Sequence, residues 1–183
     1  KIYGEDNPTL DATVLDEVVG GDAINYSLGT TAVKLSNVGD YPIAVTLGSN
    51  PNYNVTKTDS NLHIDVKDAS VTANSKTKIY GEDNPTLDAT VLDEVIGGDA
   101  INYSLGTTAV KLSGVGPYPI AVTLGSNPNY SLTSTDSTLT INQKVASVAA
   151  DPKGKTYGDA NPGLTATVVG EVVGGAAINY SLD

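Results

Sequence analysis

The sequence predicts an all-β protein: small β-sandwich modules, Ig-like or β-grasp-like, repeated in tandem with a 77-residue period to form an elongated array. Three observations predict it. The stretch Lys1-Ile2-Tyr3-Gly4-Glu5-Asp6-Asn7-Pro8-Thr9-Leu10 returns unchanged at Lys78 to Leu87. It returns again, altered, from Lys155 to Leu164, so Tyr3, Tyr80 and Tyr157 mark one period of 77 residues. A fixed period of this kind identifies the folding unit before any local feature does. Secondly, apolar residues recur at every second position, the spacing of half-buried strands. Thirdly, Asn7-Pro8, Gly20-Gly21, Val38-Gly39-Asp40 and Asn50-Pro51-Asn52 separate these runs with residues that favour turns for defined backbone reasons.

Taken in order through the first repeat, Leu10-Ala12-Val14 reads as a short strand. Val14, Leu15, Val18 and Val19 then fall at helical spacing ahead of Gly20, a residue suited to end a helix, and this is where a β-grasp-like fold would place one. The β-branched valines, and Gly170 inside the same window of repeat three, favour strand or irregular loop there. Ile24-Tyr26-Leu28 shares one face, with Tyr26 in phase with the core. Val33-Leu35 reads as another short strand, followed by Ile43-Val45-Leu47, by Leu62-Ile64-Val66 and by Val71-Ala73. That makes about six or seven strands per module, with the first and last of each module paired in parallel.

Residues 1–53 and 78–130 differ only at Val19/Ile96, Asn37/Gly114 and Asp40/Pro117. Variation is concentrated in 54–77 and 131–154, around the last strand of one module and the first of the next. Boundaries near 67/68 and 144/145 define residues 1–67 as a module lacking its first strand, 68–144 as a complete module and 145–183 as the N-terminal part of a third. A start without methionine and a stop partway through a repeat read as a piece of a longer protein. Junctions of a few residues, with no Gly/Ser-rich spacer, predict a semi-rigid rod.

The box K-x-Y-G-x-x-N-P-x-L, followed by Gly-Val-Gly-Pro-Tyr-Pro-Ile (114–120), Ser-Asn-Pro-Asn-Tyr-Ser-Leu (126–132) and Ser-Thr-Leu-Thr-Ile (137–141), resembles the MBG domain of YGX type. Asp40, standing where repeat two has Pro117, departs from that pattern at one turn. The resemblance implies tandem domains of large bacterial surface and adhesin-like proteins, without catalytic residues, on the extracellular cell surface.

Composition narrows the function further. The chain has no Cys, Met, Trp, Phe or Arg, so disulfides, zinc–thiolate sites, iron–sulfur clusters and cysteine nucleophiles cannot be built from these residues. A net charge of −11 and the lack of arginine forks exclude phosphate-backbone recognition, so no nucleic-acid partner is expected. No apolar run approaches the roughly 20 residues needed to span a bilayer, so no membrane insertion is expected in this segment.

Candidate chemistry is sparse. His63, the only histidine, falls on the outward face between Leu62 and Ile64, and no catalytic residue is assigned. No resident cofactor is expected. The repeated acids Glu82, Asp83, Asp93, Glu94 and Asp99 are the candidate ligands for a hard cation such as calcium, though they lack any known calcium-loop spacing and read first as solvated surface. Asn25, Asn54, Asn102, Asn129 and Asn179 begin N-x-Ser/Thr triplets, of which Asn25, Asn102 and Asn179 share the polar side of one strand and are the candidate glycan sites. Tyr3, Tyr41 and Tyr53 adjoin Gly or Pro and read as turn anchors in preference to sugar-stacking platforms. Lys34 and Lys111, with Asp65 or Asn142 and the acids Glu17 and Glu94, are the one combination that could form isopeptide crosslinks.

The leading expectation is a non-enzymatic stalk or spacer whose partners are the neighbouring modules of the same chain. An adhesive module binding host or surface glycan or protein is the first alternative. A subunit of an extracellular filament or surface layer, formed by self-association, is the second.

Overall fold

In the computed structural model, which describes residues 1–183, the alternating runs become twelve strands, and there is no helix. In repeat one, β1 (Tyr26–Thr30), β2 (Gly39–Leu47) and β3 (Ser60–Ile64) form an antiparallel sheet in that order. Its register pairs Tyr26 with Leu47 and Asp40 with His63. Leu62 and Ile64 are buried on its inner face, and Ile43, Val45 and Leu47 of β2 are half-buried.

Seven strands follow in repeat two: β4 (Lys67–Ala73), β5 (Lys76–Ile79), β6 (Ala89–Leu92), β7 (Tyr103–Thr107), β8 (Gly116–Leu124), β9 (Tyr130–Thr135) and β10 (Ser137–Asn142). They form one sheet in the order β5-β10-β8-β7 and another in the order β6-β4-β9. Ala73 of β4 packs with Ile120 of β8, Leu139 and Ile141 of β10, and Ala109, while Tyr80, Leu87, Leu105, Tyr118 and Val122 close around them. Each fully buried branched side chain of this cluster contributes about 1.5–3 kcal/mol, which makes it an organising core of the strands that carry it. In repeat three, β11 (Ser147–Ala150) and β12 (Ala166–Val169) pair antiparallel.

The chain divides into two compact units: Lys1–Val71 with Val91–Ser104 and Leu124–Ser134, and Thr72–Thr90 with Leu105–Thr123 and Thr135–Asp183. Neither coincides with a repeat, because the second repeat contributes to both.

The structure corrects three readings and bears out a fourth, the preference for strand or irregular loop over the Val14 window. Val33-Leu35 is a turn, not a strand: the Val33 amide donates to Ser36 Oγ at 2.8 Å and the Ser36 amide to the Val33 carbonyl at 3.1 Å, so a local hydroxyl captures the backbone. The last strand does have a parallel partner, but it is the second strand, β5, which runs beside β10 from Lys76↔Leu139 to Ile79↔Asn142. β4, the first strand, lies between β6 and β9. Val66 leaves the Leu62-Ile64 face, since β3 ends at Ile64 and Val66 is exposed. The Val14 window holds no helix. Its repeat-two counterpart is β6 followed by a turn at Asp93, and Asp16 and Asp93 both take positive φ, 60° and 64°. Gly170, with φ 88°, stands at the same position of repeat three, so the glycine there meets a left-handed backbone instead of interrupting a helix.

Candidate functional site

Each residue of the K-x-Y-G-x-x-N-P box has a traceable task. Lys78 is buried, and its ammonium donates to the carbonyls of Glu82 at 3.0 Å and Val110 at 2.8 Å; Lys1 does the same with Glu5 and Val33, both at 2.9 Å. Asn7 and Asn84 each donate to a carbonyl of that second turn, Ala32 and Ala109, at 2.6 Å. Lysine and asparagine thus clamp the box onto the turn that sequence reading took for a strand.

The tyrosine works at longer range. Tyr3 is buried, its hydroxyl accepts the Asp99 amide at 2.9 Å, and its ring meets that of Tyr130 edge-on with centroids 5.5 Å apart. The Tyr130 hydroxyl accepts the Val95 amide at 3.0 Å and donates to the Asp99 carbonyl at 2.9 Å, so two tyrosines from successive repeats hold one loop of repeat two. Burial pushes the Tyr130 phenol above its ordinary range. Two glycines make room. A Cβ on Gly4, whose φ is 86°, would lie 2.7 Å from the Val95 methyls, and one on Gly98 would lie 2.7 Å from the Tyr3 hydroxyl.

Asn129, only 1% exposed, completes this joint. Its amide nitrogen donates to Asn37 Oδ1 at 2.9 Å and to Asp99 Oδ2 at 2.7 Å, while its Oδ1 accepts the Val38 amide at 2.9 Å. Its carbonyl accepts the Lys67 amide at 3.0 Å. Repeats one and two are therefore joined within the first compact unit by a satisfied polar network as well as by packing.

The joint recurs within the second unit. Tyr80 accepts the Ala176 amide at 2.8 Å, and Cβ atoms on Gly81 and Gly175 would lie 2.6 Å from a Val172 methyl and 2.5 Å from the Tyr80 hydroxyl. Alanine replaces Asp99 here without loss, because the tyrosine reads a backbone N–H.

The sequence-predicted candidates stay apart. Glu82 accepts the Ile79 amide at 3.0 Å and Glu94 the Ile101 amide at 2.6 Å; Asp83 pairs with Lys111 at 3.3 Å; Asp99 serves the joint. Asp93 is a positive-φ turn residue, and no three acidic or histidine side chains meet as a metal-binding group. Asn25, Asn102 and Asn179 are exposed, the first two lying over Gly48 and Gly125, whereas the buried Asn129 offers no room for a glycan. Lys34 faces Asp6 at 3.5 Å and Lys111 faces Asp83, away from Asp65 and Asn142, so the crosslink pairing weighed from sequence is not assembled. Tyr41 and Tyr118 anchor their turns through the Asn37 and Gly114 carbonyls, each at 3.0 Å. His63 is exposed as expected, with Nδ1 2.7 Å from Asp40 and Nε2 3.3 Å from Asp65. The hydrogen bond to Asp40 raises its pKa above the ordinary 6.5. Repeat two has Pro117, Thr140 and Asn142 at these three places, so the trio exists once.

The sequence model of the MBG domain (YGX type) matches residues 1–63 and again residues 69–140. The chain belongs to the MBG domain family of YGX type. No curated protein and no solved structure matches it significantly. The Tyr-Gly that the family's description singles out is, in this MBG chain, the element that enters the loop of the next repeat.

Proposed function

We propose that this tandem MBG segment is a non-enzymatic spacer, a stalk of a large bacterial cell-surface adhesin-like protein in which repeat number sets reach. The observation that carries the reading is the recurrence of one joint. Tyr3 takes the Asp99 amide and Tyr80 the Ala176 amide, each 96 residues ahead. A module that spends its most distinctive motif on its neighbour is built for serial connection, with nearest-neighbour interfaces supplying much of its stability. Acidic repeats with no exposed cysteine suit an extracellular setting, keeping the array soluble by mutual repulsion.

Small-angle scattering on chains of two, three and four complete repeats tests this. The maximum dimension should grow by a fixed increment of roughly 30–45 Å per repeat, the compact size expected of such a module. Growth with the square root of repeat number, as for a flexible string, would reject the spacer reading.

A further inference from the structure

Four residues that repeat two does not share, Asn37, Asp40, His63 and Asp65, line one path between the two anchor points of the first joint; Gly114, Pro117, Thr140 and Asn142 stand in their places. At one end, Asn37 and Val38 hold the buried Asn129, and Asp40, two residues on, pairs across the ladder with His63 of β3. His63 Nδ1 lies 2.7 Å from Asp40 and Nε2 3.3 Å from Asp65. At the other end, Asp65 seats the box on its backbone: its carbonyl accepts the Tyr3 amide at 2.9 Å, and its amide donates to the Lys1 carbonyl at 2.8 Å. The Tyr3 hydroxyl then takes the Asp99 amide. An imidazole with a carboxylate at each ring nitrogen donates to both only as the cation, because the neutral ring turns a lone pair toward one of them. Asp40, the nearer, keeps the donor, so the lone pair falls on Asp65.

We propose that the first joint is proton-gated: the His63 imidazolium holds Asp65 and, through the Asp65 backbone, the Tyr3 box, and loss of the proton to solvent frees Asp65 and weakens the grip of Tyr3 on Asp99. The charged groups that face His63 are Asp40 on β2, Asp65 beyond the end of β3 and the α-ammonium of Lys1, which donates to the His63 carbonyl at 3.0 Å. The second joint is an internal control. There the Tyr80 amide donates to the Asn142 carbonyl at 2.9 Å and the Tyr80 hydroxyl accepts the Ala176 amide at 2.8 Å, but Pro117, Thr140 and Asn142 carry nothing that titrates. The inference deepens the spacer reading and rests on the same joint.

The test is amide hydrogen exchange of the full chain at about pH 5.5 and about pH 8.5, on either side of the His63 titration, expressed as protection factors so that the intrinsic pH dependence drops out. Protection of the Asp99 amide should fall about two- to fivefold from the lower pH to the higher, the size expected for loss of an exposed ion pair, while that of Ala176 stays constant. The sign follows from a folded pKa that is raised: the contribution is present below the unfolded value and is lost as pH rises through the folded one. His63→Gln, which leaves the Lys1 ammonium in place, and Asp65→Asn, which copies Asn142, should each abolish the change. An Asp99 protection factor that does not move with pH, an equal fall at Ala176, or a fall that survives in His63→Gln would overturn the proton gate and leave the spacer reading intact. No protection at Asp99 at either pH would overturn both.

Discussion

Replacing Tyr3 tests the joint against a control that the chain itself contains. Tyr3 is 2% exposed, accepts the Asp99 amide and meets Tyr130 edge-on, whereas Tyr157, the same residue of the same box in repeat three, is 103% exposed. Tyr3→Phe keeps the ring and leaves the Asp99 N–H without its acceptor, which costs about 1–2 kcal/mol. Tyr3→Ala also empties a ring-sized space between Gly98, Val95 and Tyr130, for a total of about 3–5 kcal/mol. Tyr157→Ala removes a solvated ring and should stay within about 0.5 kcal/mol of the parent. Urea unfolding followed by circular dichroism gives the three values, and hydrogen exchange at Asp99 locates the effect. With Tyr3→Ala, exchange at Asp99 should accelerate while the amides of β8 and β10 stay protected. If Tyr3→Ala and Tyr157→Ala fall within about 0.5 kcal/mol of each other, the reasoning that gives the box its role between repeats is refuted.

Further outcomes follow from the same geometry. Asn129→Ala, which strips three hydrogen bonds from a buried amide, should cost about 2–4 kcal/mol, whereas Asn52→Ala, at the exposed equivalent, should cost under about 1 kcal/mol; the comparison is read from paired denaturation curves. Gly4→Ala forces a Cβ against Val95 at positive φ and should destabilise by more than about 2 kcal/mol, while Gly158→Ala, also at positive φ but in open space, should cost only about 1 kcal/mol, again by urea unfolding. Asp93→Gly should be neutral or slightly stabilising and Asp93→Val destabilising by about 1–2 kcal/mol, since only the glycine is at ease with φ 64°. His63 should titrate above 6.5 in proton NMR, and Asp40→Asn should lower that value. Because the folded pKa is the raised one, this contribution to stability is fully present below the unfolded pKa and is lost as pH rises through the folded pKa.

The architecture was legible where its cause is local. Ile43-Val45-Leu47 and Leu62-Ile64 alternate because each strand has one dry face, and that pattern survives in sequence without knowledge of partners. Val33-Leu35 alternates too, yet three residues are too few to outweigh a serine hydroxyl placed to bond the Val33 amide. The parallel strand was misassigned by one element, because Ala69-Val71-Ala73 and Lys76–Ile79 follow each other closely and nothing local in the sequence says which of them pairs with β10. The joint was out of reach for a related reason: Tyr3 and Asp99 are 96 residues apart, and beside Gly4 the tyrosine looks like an ordinary turn anchor. One signal was present. Tyr-Gly and the later Gly-Gly pair persist through all three repeats while Asp99 gives way to Ala176, the pattern expected when a side chain reads a backbone amide across a glycine. The acids read first as solvated surface, and what sequence could not show is that Glu82 and Glu94 accept amides of their own loops.

The central claim, that Tyr3 fixes one repeat to the next, is tested most directly by a distance distribution between spin labels introduced at Thr46→Cys in repeat one and Ser104→Cys in repeat two. Both positions are exposed, and the chain has no native cysteine to interfere. The joint predicts a single narrow distribution that broadens in Tyr3→Ala and is restored to near its parent width in Tyr3→Phe, which keeps the ring. A distribution that is already broad in the parent, or one that Tyr3→Ala leaves unchanged, would contradict it.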